Sequence, residues 1–186
     1  NDPNIFKAFF LAGGPGSGKS FVVGKTTGGT GLKIVNSDDV FEKYLKDAGF
    51  EMDMTTSKAE LQQEPRDKLR DRAKVVTKMK QDNYVDGRLG LVIDGTGADY
   101  DKIVRQSIEL KQLGYDTHMI YVNTSLDVAL DRNSKRERKV STSIATKSWK
   151  DVQSNLGKFS QHFRRNMIVV DNNEVLEDDG TLFNDV

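Results

Sequence analysis

The sequence predicts an α/β fold in three layers, with one parallel sheet of five strands and helices on both of its faces. Three observations lead to this prediction. Short apolar runs alternate with segments whose apolar residues recur at helical spacing, which is typical of parallel sheets. The first apolar run ends in a glycine-rich loop, and a helix-forming segment follows it. The 186 residues suffice for one such domain with a substantial core, so residues 1–186 are predicted to form a single domain.

The first strand and the loop after it are the strongest local signal. Residues 5–12 form a mostly apolar run with three phenylalanines, and residues 13–20 match the pattern G-x-x-x-x-G-K-[ST]. Glycines in this pattern let backbone N–H groups surround an anion, while the next helix points its positive end at the same anion. The pattern therefore predicts a P-loop that binds a nucleoside triphosphate. Its phosphate-binding residues would be Gly13, Gly14, Pro15, Gly16, Ser17, Gly18, Lys19 and Ser20.

Two residues of this loop have more specific expected roles. Lys19 would reach the β- and γ-phosphates, and the Ser20 hydroxyl would ligate the Mg²⁺ that accompanies them. The fold predicted from this loop and from the alternating elements is that of the P-loop NTPases. ATP and Mg²⁺ are therefore the expected cofactors.

The next elements follow from apolar spacing and from helix-capping residues. A helix is predicted over residues 18–25 and a strand over residues 32–36. Ser37, Asp38 and Asp39 are expected to cap a second helix, which Gly49 ends.

Residues 50–83 are predicted to contain two helices. A capping box begins at Ser57, but Pro65 should end or kink a helix that starts there. A longer helix is therefore predicted to begin near Pro65 and to end near Asn83. Its apolar stripe would consist of Leu69, Ala73, Val76 and Met79, and its arginines and lysines are expected to be solvated.

The second half of the chain continues the alternation. Strands are predicted over residues 91–96, 115–123 and 167–171. Between them we expect a helix capped by Asp99 or Asp101, a helix opened by a capping box at 124–127 that runs into a basic segment, and a helix over 143–156.

Polar residues follow the predicted strands where each strand ends. They are the P-loop, Asp38 and Asp39, Asp94 to Thr96, and Asn123 with Thr124. Ligands of parallel α/β sheets bind at the carboxyl ends of the strands, so we expect these residues to form one site.

Composition excludes several classes of function. The 28 acidic and 28 basic residues balance, which argues against a domain that grips duplex DNA through bulk charge. The absence of cysteine excludes thiol catalysis and disulfides, and two histidines make a His-based metal cluster an unfavourable hypothesis. No apolar run has the length of a membrane helix, and no signal-peptide pattern is present. A cytoplasmic protein without a membrane association or an obligate protein partner is expected.

The remaining motifs favour a kinase among P-loop proteins. No Asn-Lys-x-Asp guanine motif occurs, and the strand that ends in Asp94-Gly95 lacks the acidic pair usual in large ATPases. A kinase needs a carboxylate to accept the acceptor's proton, and Asp38 is the candidate base. Asp94 would bind the acceptor hydroxyl or a water on Mg²⁺. Arg132 and Arg136, four residues apart on one predicted helix, would stabilise the transferred phosphoryl group.

Each of these residues also has an ordinary structural explanation. Asp38 and Asp39 could simply cap a helix, and Asp94 could start a turn before Gly95. Arg132 and Arg136 could form a solvated basic helix end that complements the helix dipole.

Several segments together resemble a known family, the P-loop 5′-hydroxyl kinase domain of phage polynucleotide kinase, within a wider group of small kinases that includes zeta toxins. The resemblance spans residues 5–157 and rests on the P-loop, on Asn36-Ser37-Asp38-Asp39, on Val92 to Thr96, and on Arg132-Asn133-Ser134-Lys135-Arg136. The last element is the most specific of these motifs.

The resemblance implies an ATP-dependent kinase that phosphorylates a hydroxyl, with Asp38, Lys19, Arg132 and Arg136 as catalytic residues. It also implies that Asp38, Asp39, Asp94 and Thr96 bind the acceptor and that residues 136–145 form a mobile lid. Phe41 departs from the family, which has there an arginine that helps to hold the acceptor's phosphate.

The preferred acceptor is a nucleic-acid 5′-hydroxyl or a nucleotide-like molecule. One alternative is a zeta-toxin-like kinase of a sugar nucleotide or another small metabolite. The other is a P-loop ATPase or nucleotide-dependent binding module.

Overall fold

The computed structural model describes residues 6–173, except the side chains of residues 26 and 27. The elements in chain order are β1 (Lys7–Ala12), α1 (Lys19–Thr27), β2 (Lys33–Val35), α2 (Ser37–Asp47), α3 (Ser57–Leu61), α4 (Gln63–Asp86), β3 (Leu91–Ile93), α5 (Tyr100–Gln112), β4 (Asp116–Asn123), α6 (Leu126–Lys135), α7 (Thr142–Phe163), a 3₁₀ turn (Arg164–Asn166) and β5 (Met167–Asp171).

The five strands form one parallel sheet in the order β2-β3-β1-β4-β5, which confirms the predicted fold class. β1 is the central strand, and its residue Phe10 pairs with Ile93 of β3 and Met119 of β4. β3 lies between β1 and β2. The carboxyl ends of β1, β2 and β3 therefore meet at one edge of the sheet.

Alternate residues of β1 pack against helices on opposite faces of the sheet. Phe10 points into a cluster with residues of α5 and α7, including Ile103 and Phe159. Leu11 points the other way, into a cluster with Val22 and Val23 of α1. This alternation produces the three layers because neighbouring side chains of a strand lie on opposite faces.

Several helix boundaries differ from the predictions. Asn36, not Ser37 to Asp39, caps α2, because its Oδ1 accepts from the Asp38 N–H at 2.8 Å. Thr56 caps α3, and Ser125 caps α6. α7 continues to Phe163, beyond the predicted end at Leu156.

α4 begins near the predicted start but contradicts the predicted apolar stripe. Its first residue is Gln63, so Pro65 lies in the first turn, where a missing N–H breaks no helical hydrogen bond. Its buried residues are Arg66, Ala73, Thr77 and Gln81, whereas Met79 is exposed. This face of α4 is the buried one because Ala73 packs against Phe41 and Leu45 of α2.

The expected solvation of the α4 arginines is wrong for Arg66. Its side chain is fully buried, and its Nη1 donates to the Glu51 carbonyl at 2.9 Å. Within residues 6–173, no helix combines the length and apolar character that crossing a membrane would require.

Candidate active site

The P-loop connects β1 to α1 in a conformation that only glycine adopts easily. Gly16 and Gly18 have φ values of +81° and +85°. A side chain at Gly16 would collide with the Ala129 carbonyl of α6, and one at Gly18 with the Asn172 amide. The loop is therefore shaped by close contacts as well as by its own sequence.

Hydrogen bonds from other strand ends hold this loop in place. The Ser17 carbonyl accepts from Asn172 Nδ2 at 2.7 Å and from Thr124 Oγ1 at 3.2 Å. The Gly13 N–H donates to the Thr96 carbonyl at 2.8 Å. Asn172, which follows β5, has no counterpart among the predicted site residues.

Lys19 lies across the P-loop. Its Nζ donates to the Gly13 carbonyl at 2.6 Å. Burial lowers the pKa of the Lys19 ammonium, the carboxylates of Asp94 and Asp38 oppose this shift, and the guanidinium of Arg136 reinforces it. An anionic phosphate beside this ammonium would favour its charged form.

The Ser17 hydroxyl indicates that the loop fits a phosphate. This Oγ is buried and has no hydrogen-bond partner among the described residues. Because an unpaired buried hydroxyl is unfavourable, a phosphate oxygen within the loop would supply the partner that it lacks.

Arg132 and Arg136, in the basic segment after β4, both lie near the P-loop, but they do not share one helix face. α6 ends at Lys135, and Arg136 is its C-cap residue with extended backbone angles (φ −78°, ψ 149°), so the prediction that Arg132 and Arg136 share a helix face is wrong. Arg132 Nη1 donates to the Asn172 carbonyl at 2.9 Å. Asn172 therefore contacts both the loop and the first arginine.

The predicted site residues converge on one cavity of about 500 Å³, which we call the donor cavity. Gly13 and Pro15 do not line it. The predicted residues that do are Gly14, Gly16, Ser17, Gly18, Lys19, Ser20, Asp38, Asp39, Asp94, Thr96, Arg132 and Arg136.

Three carboxylates lie at the carboxyl ends of β2 and β3. Asn36 Nδ2 donates to Asp94 Oδ2 at 3.1 Å and to Asp39 Oδ1 at 3.0 Å. Burial raises the pKa of the Asp94 carboxyl, and the Lys19 ammonium opposes this shift. Desolvation, with the like charges of Glu42 and Asp38, raises the pKa of the Asp39 carboxyl.

Asp38 lies between two arginines that sequence reasoning did not assign to the site. Arg70 Nη2 of α4 is 3.4 Å from Asp38 Oδ1, and Arg138 Nη2 is 3.3 Å from Asp38 Oδ2. Both guanidinium groups lie over the ring of Phe41, at 5.1 and 5.8 Å from its centroid. The buried Phe41 ring thus supports two arginines beside the candidate base. The sequence signal was weak, since both arginines belong to segments rich in charge.

A second cavity of about 340 Å³ lies between α4 and α5, and we call it the acceptor cavity. Its walls include apolar residues such as Val35, Ile93 and Ile103, and lysines such as Lys74 and Lys78. The two cavities share their border, which consists of Ser37, Asp94, Gly95, Thr96 and Lys102. A molecule in the acceptor cavity would therefore adjoin the P-loop.

The oxygen-bearing side chains around the donor cavity are compatible with Mg²⁺ bound together with a nucleotide. Among the described residues, no group of three or more His, Cys, Asp or Glu is arranged to hold a metal ion. Mg²⁺ that accompanies a nucleotide needs no such cage, because phosphates and water supply most of its ligands. The hydroxyl of Ser20 and the carboxylate of Asp94, which both line the donor cavity, would be available as the protein ligands.

The single tryptophan of the chain lies next to the P-loop. Trp149 Nε1 of α7 donates to the Thr124 carbonyl at 2.7 Å, and a side chain added at Gly14 would contact Trp149. Trp149 is therefore a natural fluorescence reporter of events at the loop.

Solved structures share this fold at low sequence identity. A gluconokinase from Sinorhizobium meliloti has a TM-score of 0.53 and 12% identity, with 92% of this chain and 86% of that one covered. The AvrRxo1-ORF1:-ORF2 structure with ATP has a TM-score of 0.60 and 17% identity, with 90% of this chain and 55% of that one covered. A chain of the Pnkp1/Rnl/Hen1 RNA repair complex has a TM-score of 0.60 and 18% identity, with 84% of this chain and 47% of that one covered.

The chain thus spans about half the length of the last two proteins. No curated protein is detectably similar to it in sequence. The profile of the zeta toxin family matches residues 6–180. Because this match covers nearly the whole chain, with the P-loop and the residues around the donor cavity, the chain belongs to the zeta toxin family.

Proposed function

We propose that the protein is an ATP-dependent kinase that transfers the γ-phosphoryl group to a hydroxyl. The family and the kinase fold support a phosphotransferase. The observation that carries the proposal is the donor cavity, which brings the P-loop, Arg132, Arg136 and the Asp38 carboxylate together. These are the parts that phosphoryl transfer requires.

The donor half of the reaction belongs to the P-loop and the basic segment. Backbone N–H groups of the loop would bind the phosphates of ATP, with Mg²⁺ held in part by Ser20. Lys19, Arg132 and Arg136 would stabilise the negative charge that develops on the phosphoryl group in transit.

The acceptor half belongs to the carboxylates. Asp38 would accept the proton of the acceptor hydroxyl as its oxygen bonds to the γ-phosphorus. The bond from the γ-phosphorus to the β–γ bridging oxygen breaks, and ADP leaves. Asp94 and Thr96, on the border of the two cavities, would orient the acceptor, with Asp39 beside them.

The dimensions of the acceptor cavity favour a small acceptor. A volume of about 340 Å³ suits a molecule of nucleotide size, or one terminal nucleotide of a nucleic acid. Phe41 is buried beneath two arginines and is not available to contact an acceptor. A nucleotide-like acceptor remains our preferred proposal, with a sugar nucleotide or another small metabolite as the alternative.

The deciding experiment offers γ-labelled ATP with a panel of acceptors. The panel comprises 5′-hydroxyl DNA and RNA, nucleosides, nucleotides and UDP-sugars, and the Lys19→Ala and Asp38→Asn variants are the controls. We expect label on a nucleotide-like member and almost none with either variant. Steady phosphate release with every acceptor unlabelled would instead indicate a P-loop ATPase or a nucleotide-dependent binding module.

Several finer expectations stay predictions. They are the phage type, the polynucleotide specificity, the cytoplasmic location, the mobility of residues 136–145 and the absence of an obligate protein partner. Two of the similar structures are themselves complexes of several proteins, which makes a partner worth testing by co-purification.

A further inference from the structure

We infer that Arg138 is a positioning residue, which fixes the carboxylate of Asp38 from outside both cavities. The inference rests on the proposed function, because it assigns Asp38 the role of base. It concerns the segment of residues 136–141, which connects α6 to α7. Among the described residues, Arg138 of this segment lines neither cavity.

The contacts of Arg138 distinguish it from an ordinary surface cation. Its side chain is only 10% exposed. Its Nε donates to Glu42 Oε1 at 2.7 Å while its Nη2 lies 3.3 Å from Asp38 Oδ2. One planar guanidinium therefore bridges two carboxylates that are four residues apart on α2, a geometry that needs the fork of an arginine.

The backbone around Arg138 is tied down on both sides. Asn133 Nδ2 donates to the Val140 carbonyl at 2.8 Å. Lys139 forms an ion pair with Asp53 at 3.1 Å, and its carbonyl accepts from the Met54 N–H. In this conformation Arg138 is thus held by its own segment, and Asp38 is the member of the pair with more freedom to adjust.

Asp38 needs such a restraint. The carboxylate is 42% exposed, and its Oδ1 accepts no hydrogen bond from the described residues. Arg70, the other cation beside it, is also 42% exposed, and among the described residues it has no second carboxylate partner like the Glu42 that Arg138 contacts. Glu42 and Phe41 therefore support Arg138, and Arg138 in turn supports Asp38.

The restraint has a catalytic consequence. Proton transfer in the reaction requires the Asp38 carboxylate within hydrogen-bond reach of the acceptor hydroxyl. A displacement of about 1 Å in a reacting group can reduce the rate about 10²-fold. Loss of Arg138 should therefore slow transfer without weakening the binding of ATP, because Arg138 is not among the described residues that line the donor cavity.

The test measures kcat and KM for ATP and for whichever acceptor of the panel is labelled. We expect Arg138→Ala to lower kcat about 10²-fold and to leave the KM for ATP within about twofold. Free guanidinium chloride at a non-denaturing concentration should restore part of the rate, because the deleted group leaves a buried space. Arg138→Lys should recover little, since a lysine cannot bridge Glu42 and Asp38.

Three further variants separate positioning from folding. Lys135→Ala removes a nearby exposed cation that pairs with Asp131, and it should leave kcat unchanged. Glu42→Gln should lower kcat, and the Glu42→Gln/Arg138→Ala double variant should be no slower than Arg138→Ala alone, because both changes act through one bridge.

Three results would overturn the inference while leaving the kinase in place. They are an unchanged kcat for Arg138→Ala, an effect confined to the KM for ATP, and effects of Glu42→Gln and Arg138→Ala that multiply. A wild-type protein that labels no acceptor would remove the proposed function, and with it the role given to Arg138. If Arg138→Ala does not fold, the conservative Glu42→Gln variant decides. A lowered kcat supports the inference, and an unchanged kcat overturns it.

Discussion

The side-chain amide of Asn36 lies 3.1 Å from Asp94 Oδ2 and so joins the residues that follow β2 and β3. The same side chain accepts from the Asp38 N–H at 2.8 Å and caps α2. One amide therefore orients the helix that carries the candidate base and the acid on the border of the two cavities. Capping and site geometry are linked through this residue.

Asn36→Ala should reduce both stability and transfer. The lost N-cap should lower the free energy of unfolding by about 1 kcal/mol. Asp94 should also lose its fixed orientation, so kcat should fall. Urea unfolding and the labelled-ATP assay measure the two effects. Thr56→Ala is the matched control, because Thr56 caps α3 through the Ala59 N–H at 3.1 Å, away from both cavities. A Thr56→Ala variant that loses as much activity as Asn36→Ala would show that stability alone explains the loss.

Arg132 and Arg136, which both line the donor cavity, should behave differently from each other. Arg136→Ala should lower kcat about 10³-fold, the low end for arginines that stabilise a phosphoryl group in transit. Arg132→Ala should lower kcat and also the thermal midpoint, because Arg132 bonds to the Asn172 carbonyl. Lys135→Ala is the control, since Lys135 is exposed and forms an ion pair with Asp131. A reduction as large in Lys135→Ala would mean that general positive charge, rather than a placed guanidinium, is what matters.

The buried carboxyl of Asp94 should make the stability of the fold depend on pH. Burial raises the pKa of this group in the folded protein, so its charged form is unfavourable there. The stability that the protonated Asp94 carboxyl contributes is fully present below the unfolded pKa of about 4, and it is lost as pH rises through the folded pKa. Asp94→Asn should therefore be more stable than the wild type at pH 7, and the difference should shrink towards pH 4.

Urea unfolding of both proteins at several pH values tests this prediction. Asp131→Asn, which changes an exposed carboxylate, should show no such trend. A stability difference for Asp94→Asn that grows on acidification would have the wrong sign. Asp94→Asn should nevertheless transfer phosphate more slowly, because Asp94 lies on the border of the two cavities.

The sequence predicted the strands and the P-loop because those signals are local. An apolar run, a glycine-rich turn and a capping residue each depend on a few neighbouring positions. The ends of parallel strands also meet at one sheet edge in any strand order, so Asp38, Asp94 and the P-loop could be assigned to one site. The order β2-β3-β1-β4-β5 depends on how the helices cross the sheet, which no short segment encodes.

Arg70 and Arg138 could not be predicted in the same way. They are 68 positions apart in the chain, on α4 and on the segment after α6, and each lies among other charged residues. Only the packing of α4 against α2 brings both to Asp38 and to the ring of Phe41. The same packing rotates Arg66 into the interior and Met79 outwards, against the apolar stripe that the sequence predicted.

Two glycines at variable positions of the P-loop pattern should differ in their tolerance of alanine. Gly16 has a φ of +81°, and an added methyl group would collide with the Ala129 backbone carbonyl, which cannot easily move. At Gly14 an added methyl group would make ordinary contacts with Trp149, 3.4 Å or more away. Gly16→Ala should therefore lose ATP binding, whereas Gly14→Ala should keep it. The intrinsic fluorescence of Trp149 during ATP titration measures both, and the Trp149 contact makes a changed signal amplitude expected for Gly14→Ala. Equal affinity in the two variants would mean that the loop does not keep this backbone conformation when it binds the nucleotide.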